Sequence, residues 1–180
     1  MNSNFPKIMK SATAAMALAT VVLAIAYHFF PKDWVLSAAI TTGTTFYHFT
    51  MRLMVGAIVP RCVHNPTKCR WFHQKSFEPK LYKLLHVQQW KDHMPTYNPT
   101  SFSLRHHSME EIVHNTCISE AVHEMIVLLS FVPLLFALLW GAFPVFLITS
   151  VLSAAFDSCF IIMQRYNRPR LLRIISKKEA

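Results

Sequence analysis

The sequence predicts an all-α integral membrane protein: a four-helix bundle with a cytoplasmic, partly interfacial helical segment between spans 2 and 3. Three observations carry this. First, 53% of the 180 residues are hydrophobic and only 15% are charged, against roughly 25% charge in an ordinary soluble domain. Second, Lys10 and Lys32 bracket 21 residues free of Lys, Arg, Asp and Glu, Asp33 and Arg52 bracket 18, and Glu124 and Asp157 bracket 32. Each run is close to or above the roughly 20 residues that cross a bilayer core as a helix. Third, the basic residues are sorted along the chain. The hairpins 31–33 and 141–144 hold one Lys between them, while the N-terminus holds two, residues 60–117 hold eight and the tail from Arg165 holds six. A water-soluble globule, a disordered chain and a fibre are excluded, and the length favours one membrane domain over 1–180.

Taken in order, the first span covers 11–30. It follows Lys7 and Lys10 as a secretory signal would, but it is longer than a signal core, lacks a small-residue cleavage site and runs almost directly into a second apolar stretch, so it reads as retained. The second span covers 34–59, is closed by Pro60, and is rich in small residues through Ser37-Ala38-Ala39 and Thr41-Thr42-Gly43-Thr44-Thr45, which lets helix backbones approach in lipid. Residues 60–117 follow. This segment is marginal for an independent core, and Trp71, Phe72, Phe77, Tyr82, Leu84, Leu85 and Trp90 suit a membrane interface. An interfacial helix is expected within 78–94, with Leu81, Leu84 and Leu85 on one face. Met94-Pro95-Thr96-Tyr97-Asn98-Pro99 breaks the chain, and Ser108-Met109-Glu110-Glu111 reads as a capping box that starts a helix running into the third span. The long apolar run after Glu124 folds back at Gly141-Ala142-Phe143-Pro144, giving spans 118–140 and 143–163, and a basic tail occupies 164–180. Backbone groups in lipid must be satisfied internally, so the spans are helices.

Positive residues favour the cytoplasm, so both termini and residues 60–117 are expected there, consistent with an even number of spans. Cys62, Cys69, Cys117 and Cys159 then lie on or near the reducing side without CxxC spacing, which speaks against structural disulfides and a zinc cage. The excess of 18 Lys and Arg over 9 Asp and Glu fits anionic lipid headgroups or an acidic or phosphorylated substrate, and nucleic acid is not expected as a partner of so apolar a chain.

Ionisable residues within spans are costly and mark packing or function. His48 and Arg52 are four apart on one helix face, Glu120 and His123 three apart at the mouth of the third span, and Asp157 lies in the fourth. At 1.5 Å per residue Arg52 and Asp157 both sit roughly 10 Å deep from the cytoplasmic ends. One polar pocket open to that side is therefore expected to gather the set, with an Arg52–Asp157 ion pair that either sets helix register or serves chemistry. Histidine suits proton transfer near neutral pH, and Glu120 is placed to orient His123. In the tail, Gln164-Arg165-Tyr166-Asn167-Arg168-Pro169-Arg170-Leu171-Leu172-Arg173 groups several arginines around Pro169, which is expected to stop the helix and turn planar donors toward a phosphate or carbonyl oxygen.

Other patterns fail. His28-Phe29-Phe30-Pro31-Lys32-Asp33 has the HxxxxD spacing of glycerolipid acyltransferases, but with ten histidines and three aspartates one chance match is expected, and it falls on the outer hairpin. The two ExxH pairs, Glu111/His114 and Glu120/His123, lie nine residues apart on one helix and so on opposite faces, which excludes a shared di-iron site. HxxxH and HxxHH patterns are missing, and three glycines supply no phosphate loop. No bound metal or cofactor is expected.

At Gln164-Arg165-Tyr166-Asn167-Arg168-Pro169-Arg170-Leu171, with Lys75-Ser76-Phe77, Trp90-Lys91 and Glu120-x-x-His123, the chain resembles the glycosyl-4,4'-diaponeurosporenoate acyltransferase family, small bacterial membrane proteins, over roughly residues 46–173. The resemblance implies transfer of a fatty acyl group to a hydroxyl of a glycosylated lipid such as a carotenoid glycoside, at the bacterial cell membrane, with acyl-CoA as a possible donor. It carries over Glu120, His123, Trp90, Lys91, Arg165, Tyr166, Asn167, Arg168 and Arg170 as site residues. In the mechanism this implies, His123 oriented by Glu120 is the base and His48 the alternative one. Arg52 or Arg165 stabilises the oxyanion, Asp157 joins the substrate-binding set, and the tail arginines hold the donor's anionic part. The competing reading is a non-enzymatic assembly or lipid-binding protein whose polar cluster only locks the helices. A transporter ranks last, since broken helices and repeats are not visible.

Overall fold

A computed structural model describes residues 4–179; Ala180, the end of the expected basic tail, and residues 1–3 lie outside the described part. No strand occurs among the described residues. The helices are α1 (Phe5–Phe29), α2 (Asp33–Cys62), α3 (Glu78–Leu84), α4 (Val87–Trp90), α5 (Met109–Leu129), α6 (Ala137–Trp140) and α7 (Phe143–Glu179), joined by short 3₁₀ turns. Three stretches are long and apolar enough to cross a membrane: Phe5–Phe29, Met109–Trp140 and Phe143–Lys178. They mark the chain as membrane-associated. At 30 residues α2 is long enough, but its threonines, His48 and Arg52 dilute its apolar content, and it is not among the three.

The chain packs as two compact units, one of residues 57–124 and 157 onward, the other of 4–56 and 125–156. In the second unit, α1 buries none of its side chains, and Leu18, Val21, Val22, Ile25 and Phe29 are exposed, as a lipid-facing helix requires. A Cβ built on Gly43 of α2 lies 3.4 Å from the Thr20 methyl of α1, the close approach that small residues permit. Thr41, Thr42, Thr44 and Thr45 of α2 return their hydroxyls to the preceding turn. Thr41 donates to the Ser37 carbonyl, Thr44 to Ile40 at 2.7 Å and Thr45 to Thr41, which makes a Thr-rich helix compatible with an apolar surrounding.

Local signals hold at two junctions. Ser108 and Glu111 form the reciprocal capping box, with the Ser108 N–H donating to Glu111 Oε2 at 2.8 Å and the Glu111 N–H to Ser108 Oγ at 3.2 Å. Gly141 and Ala142, both at positive φ, make the turn from α6 into α7.

Four expectations at helix ends require correction. The third span is not one helix: α5 ends at Leu129, and a 3₁₀ turn over Val132–Phe136 leads to α6. Pro133 has no N–H for the Leu129 carbonyl, and the Tyr47 hydroxyl donates to that carbonyl instead, at 2.9 Å. Conversely, α2 continues through Pro60 and α7 through Pro169. A proline removes one intrahelical hydrogen bond, and where the turns on either side are anchored the helix bends or carries on rather than ending. The helix expected within 78–94 is two short helices, divided at His86, whose φ is 49°.

Candidate active site

The two long helices of the first unit face each other through polar side chains. On α7, Asp157, Phe160, Gln164 and Arg168 recur at three- and four-residue spacing along one stripe, and all four are buried. On α5, Thr116 and Glu120 share one stripe and Ser119 and His123 the next. The pairs run antiparallel: His123 with Asp157, Ser119 with Gln164 at 3.2 Å, and Thr116 with Arg168 at 2.9 Å. Apolar Phe156 of α7 is exposed while Asp157 beside it is 1% exposed. Polar inside and apolar outside is the arrangement of a helix solvated by lipid.

At one end of this ladder lies an ionic clasp. Glu120, fully buried, accepts from Arg165 on one carboxylate oxygen and from Arg168 Nη2 on the other. Arg165 also donates from Nε to Glu78 Oε1 at 2.8 Å and from its terminal nitrogens to the Trp71 and His73 carbonyls. Arg168 donates to the Phe72 carbonyl at 2.7 Å. Glu78 is itself buried and takes the Tyr82 hydroxyl at 2.7 Å. Burial and that carboxylate push the Tyr82 phenol well above its ordinary range, so it stays protonated and donates. Two carboxylates against two guanidiniums thus tie residues 71–82 to α5 and α7, with each buried charge matched.

The clasp redraws the expected pairings. Glu120 is held by arginines, and the carboxylate at the His123 ring is Asp157, whose Oδ1 lies 2.8 Å from Nδ1. His123 stacks on Phe160 with ring centroids 4.5 Å apart and planes 5° from parallel. With Nδ1–H donated to Asp157, the neutral ring carries its lone pair on Nε2. The three-residue spacing of Glu120 and His123 brings them to neighbouring stripes of α5, but the partner of each is chosen by what α7 presents. Arg165 and Arg168, expected to turn toward a phosphate or carbonyl oxygen at Pro169, reach the carboxylates of Glu78 and Glu120 and the backbone carbonyls of Trp71, Phe72 and His73. Arg170 alone of the three is exposed, its guanidinium 4.0 Å from the Tyr166 ring centroid. Tyr166 meets Tyr82 edge-on, and Asn167 is half-buried on the same helix.

The remaining expected residues lie elsewhere. Trp90 donates to the Leu85 carbonyl at 2.9 Å, and Lys91 pairs with its neighbour Asp92. Both satisfy local structure. In the second unit His48 is buried on α2. Arg52 donates to Ser153 Oγ at 2.9 Å, and Ser153 Oγ lies 2.8 Å from Ser130 Oγ. Glu78, Thr116, Ser130 and Ser153 were not singled out from the sequence, and Tyr82 was read only as an aromatic of the membrane interface. Glu78 opens a short helix, where an acid reads as a favourable first-turn charge, and the serines read as small packing residues. A stripe search along α7 would have found Ser153, since it continues the spacing of Asp157, Gln164 and Arg168. Among the described residues no three His, Cys, Asp or Glu side chains gather as a metal site would require.

A family model described as glycosyl-4,4'-diaponeurosporenoate acyltransferase matches residues 68–177. Comparison with curated proteins and with solved structures returns no match. The matched region begins later than the resemblance from residue 46 anticipated. It takes in Glu78, Glu120, His123, Asp157, Arg165 and Arg168, and leaves His48 and Arg52 outside. Covering more than half of the chain, it establishes that the chain belongs to the glycosyl-4,4'-diaponeurosporenoate acyltransferase family.

Proposed function

We propose that the protein is a membrane acyltransferase that moves a fatty acyl group onto a hydroxyl of a glycosylated lipid, with acyl-CoA as donor and a carotenoid glycoside as one acceptor of the right kind. The observation that carries this reading is the His123–Asp157 pair, inside the region matched by the family. A carboxylate on Nδ1 fixes the tautomer and supports the imidazolium that forms when Nε2 takes a proton. In this reading His123 Nε2 removes the proton of the acceptor hydroxyl as its oxygen attacks the acyl carbonyl. The C–O ester bond forms, the C–S bond of the thioester breaks, and the proton passes from His123 to the departing thiolate. Glu120, Arg165 and Arg168 position α5 and α7 so that the pair keeps its register.

The membrane arrangement belongs to the same proposal. α2 is taken as a fourth span beside the three apolar stretches, and the crowding of basic residues in 60–117 and after Arg165 supports a cytoplasmic location for both termini and that segment.

The test compares His123→Ala and Asp157→Asn in membranes where the protein is inserted to the wild-type level. Loss of one general base lowers a transfer rate by about 10²–10⁴-fold, so acylated glycolipid in extracts is expected to fall sharply for the first variant and less for the second. Unchanged ester levels in both would remove the pair from the chemistry. Residual ester that disappears only when His48 is also replaced would move the base to α2.

A further inference from the structure

We propose that α3, with the turn that precedes it, docks on the anionic headgroups of the bilayer surface. The helix is amphipathic in an unusual sense. Its inward face carries the polar pair Glu78 and Tyr82, both buried in the ionic clasp. Phe77 and Leu84, seven residues apart and therefore on one face, are 61% and 74% exposed, and Trp71 in the preceding turn is 57% exposed. A helix that spends its inward face on a carboxylate and leaves a leucine and a phenylalanine outside needs something apolar to cover them.

Charge identifies the cover. Lys68, Arg70, Lys80 and Lys83 are all exposed, and the one acid between residues 68 and 85, Glu78, is buried against Arg165. Every exposed charge within residues 68–85 is therefore cationic around an apolar stripe, and the acid nearest that stripe from outside the segment, Glu124, is taken up by the Trp71 indole N–H at 2.9 Å. Lys80 lies between Phe77 and Leu84 on the same face, where a long basic side chain lets its methylenes follow the apolar surface and its ammonium reach phosphates. Each Lys or Arg close to an anionic membrane strengthens the attraction by about fivefold. An acidic protein partner would match the charge but not the mixture of a phenylalanine, a leucine and a tryptophan ring at headgroup depth, which is what a bilayer interface supplies.

This rests on membrane association only, not on acyl transfer, so loss of one leaves the other standing. The test uses the full chain in nanodiscs, with an environment-sensitive fluorophore on Leu84→Cys in a background where the exposed Cys62 and Cys69 are serine. Discs of phosphatidylcholine alone are compared with discs of equal parts phosphatidylcholine and phosphatidylglycerol, each with and without brominated acyl chains. The expected result is blue-shifted emission with quenching by bromine at least about twofold greater in the anionic discs. K68Q/R70Q/K80Q/K83Q, confined to exposed side chains, should abolish that difference. Water-like emission in both discs, or equal quenching with and without phosphatidylglycerol, overturns the proposal, and a blue shift without bromine quenching would do so in favour of protein cover.

Discussion

In the unit of residues 57–124 and 157 onward, buried charges meet buried charges: Glu120 and Glu78 are shared among Arg165, Arg168 and Tyr82, and Asp157 faces His123. In the unit of 4–56 and 125–156 the polar groups are mostly hydroxyls returned to their own helix backbones, with Arg52 and the two serines as a short string. A returned hydroxyl is self-sufficient. It can sit in an apolar surrounding without a partner helix and fixes little about what packs beside it. An ion pair with each carboxylate oxygen committed fixes which residues face each other, because any slip strands a charge in a place with no water. The family match takes in most of the charged unit, the one that has to hold two helices in register around a histidine, together with residues 125–156 of the other.

The sharpest way to break this comparison is Glu120→Ala, which takes the carboxylate away from Arg168 and leaves Arg165 with Glu78 alone. Breaking a buried pair from one side costs about 3–5 kcal/mol, and thermal unfolding in detergent should show this variant to be less stable than Ser108→Ala, Tyr47→Phe or Thr44→Val. Removing the charge but keeping the shape, as Glu120→Gln, should recover only part of the loss. If Glu120→Ala unfolds at the wild-type temperature, the clasp does not hold the fold. In the same unit, Ser108→Ala removes a neutral and exposed cap, for which a cost of about 1 kcal/mol is expected. The interval between the two variants measures what formal charge adds.

The same contrast explains what was legible beforehand. The capping box at Ser108 and the turn at Gly141 were readable because each is written within a few residues and satisfied there. The break after Leu129 had a signal in Pro133 that the length of the apolar run concealed, while Pro60 and Pro169 gave stop signals that the structure overrides. Proline states that a hydrogen bond is missing, and only the neighbouring elements decide whether that ends a helix. The candidate residues Glu120, His123, Asp157, Arg165 and Arg168 were nameable because charge in an apolar chain stands out. Their partners were not, because spacing along α5 says which side chains are neighbours on that helix and nothing about the register of α7. Glu78 escaped altogether, since an acid in a helix's first turn has an ordinary explanation that needs no distant arginine.

In the second unit, Tyr47→Phe strands the Leu129 carbonyl that Pro133 has already deprived of its usual donor. Hydrogen bonds between membrane helices average about 0.6 kcal/mol and reach about 1.7, and this one belongs toward the upper part of that range because its acceptor has no intrahelical alternative. A loss well beyond about 1.7 kcal/mol in the same unfolding assay would mean that the break after Leu129 depends on this one hydroxyl.

Thr44→Val should do least of all. Thr44 is 4% exposed, so depth alone would forecast a large effect, but its hydroxyl donates at 2.7 Å to the Ile40 carbonyl one turn back on its own helix, an oxygen the helix backbone already serves. Valine keeps the shape and removes a bond that was local from the start, and a change within about 0.5 kcal/mol is expected. A larger loss would show that this hydroxyl does something the helix alone does not require. The committed polar groups of the second unit would then extend beyond Tyr47, Arg52 and its two serines, and the division between self-satisfied hydroxyls and committed charges would have to be drawn residue by residue.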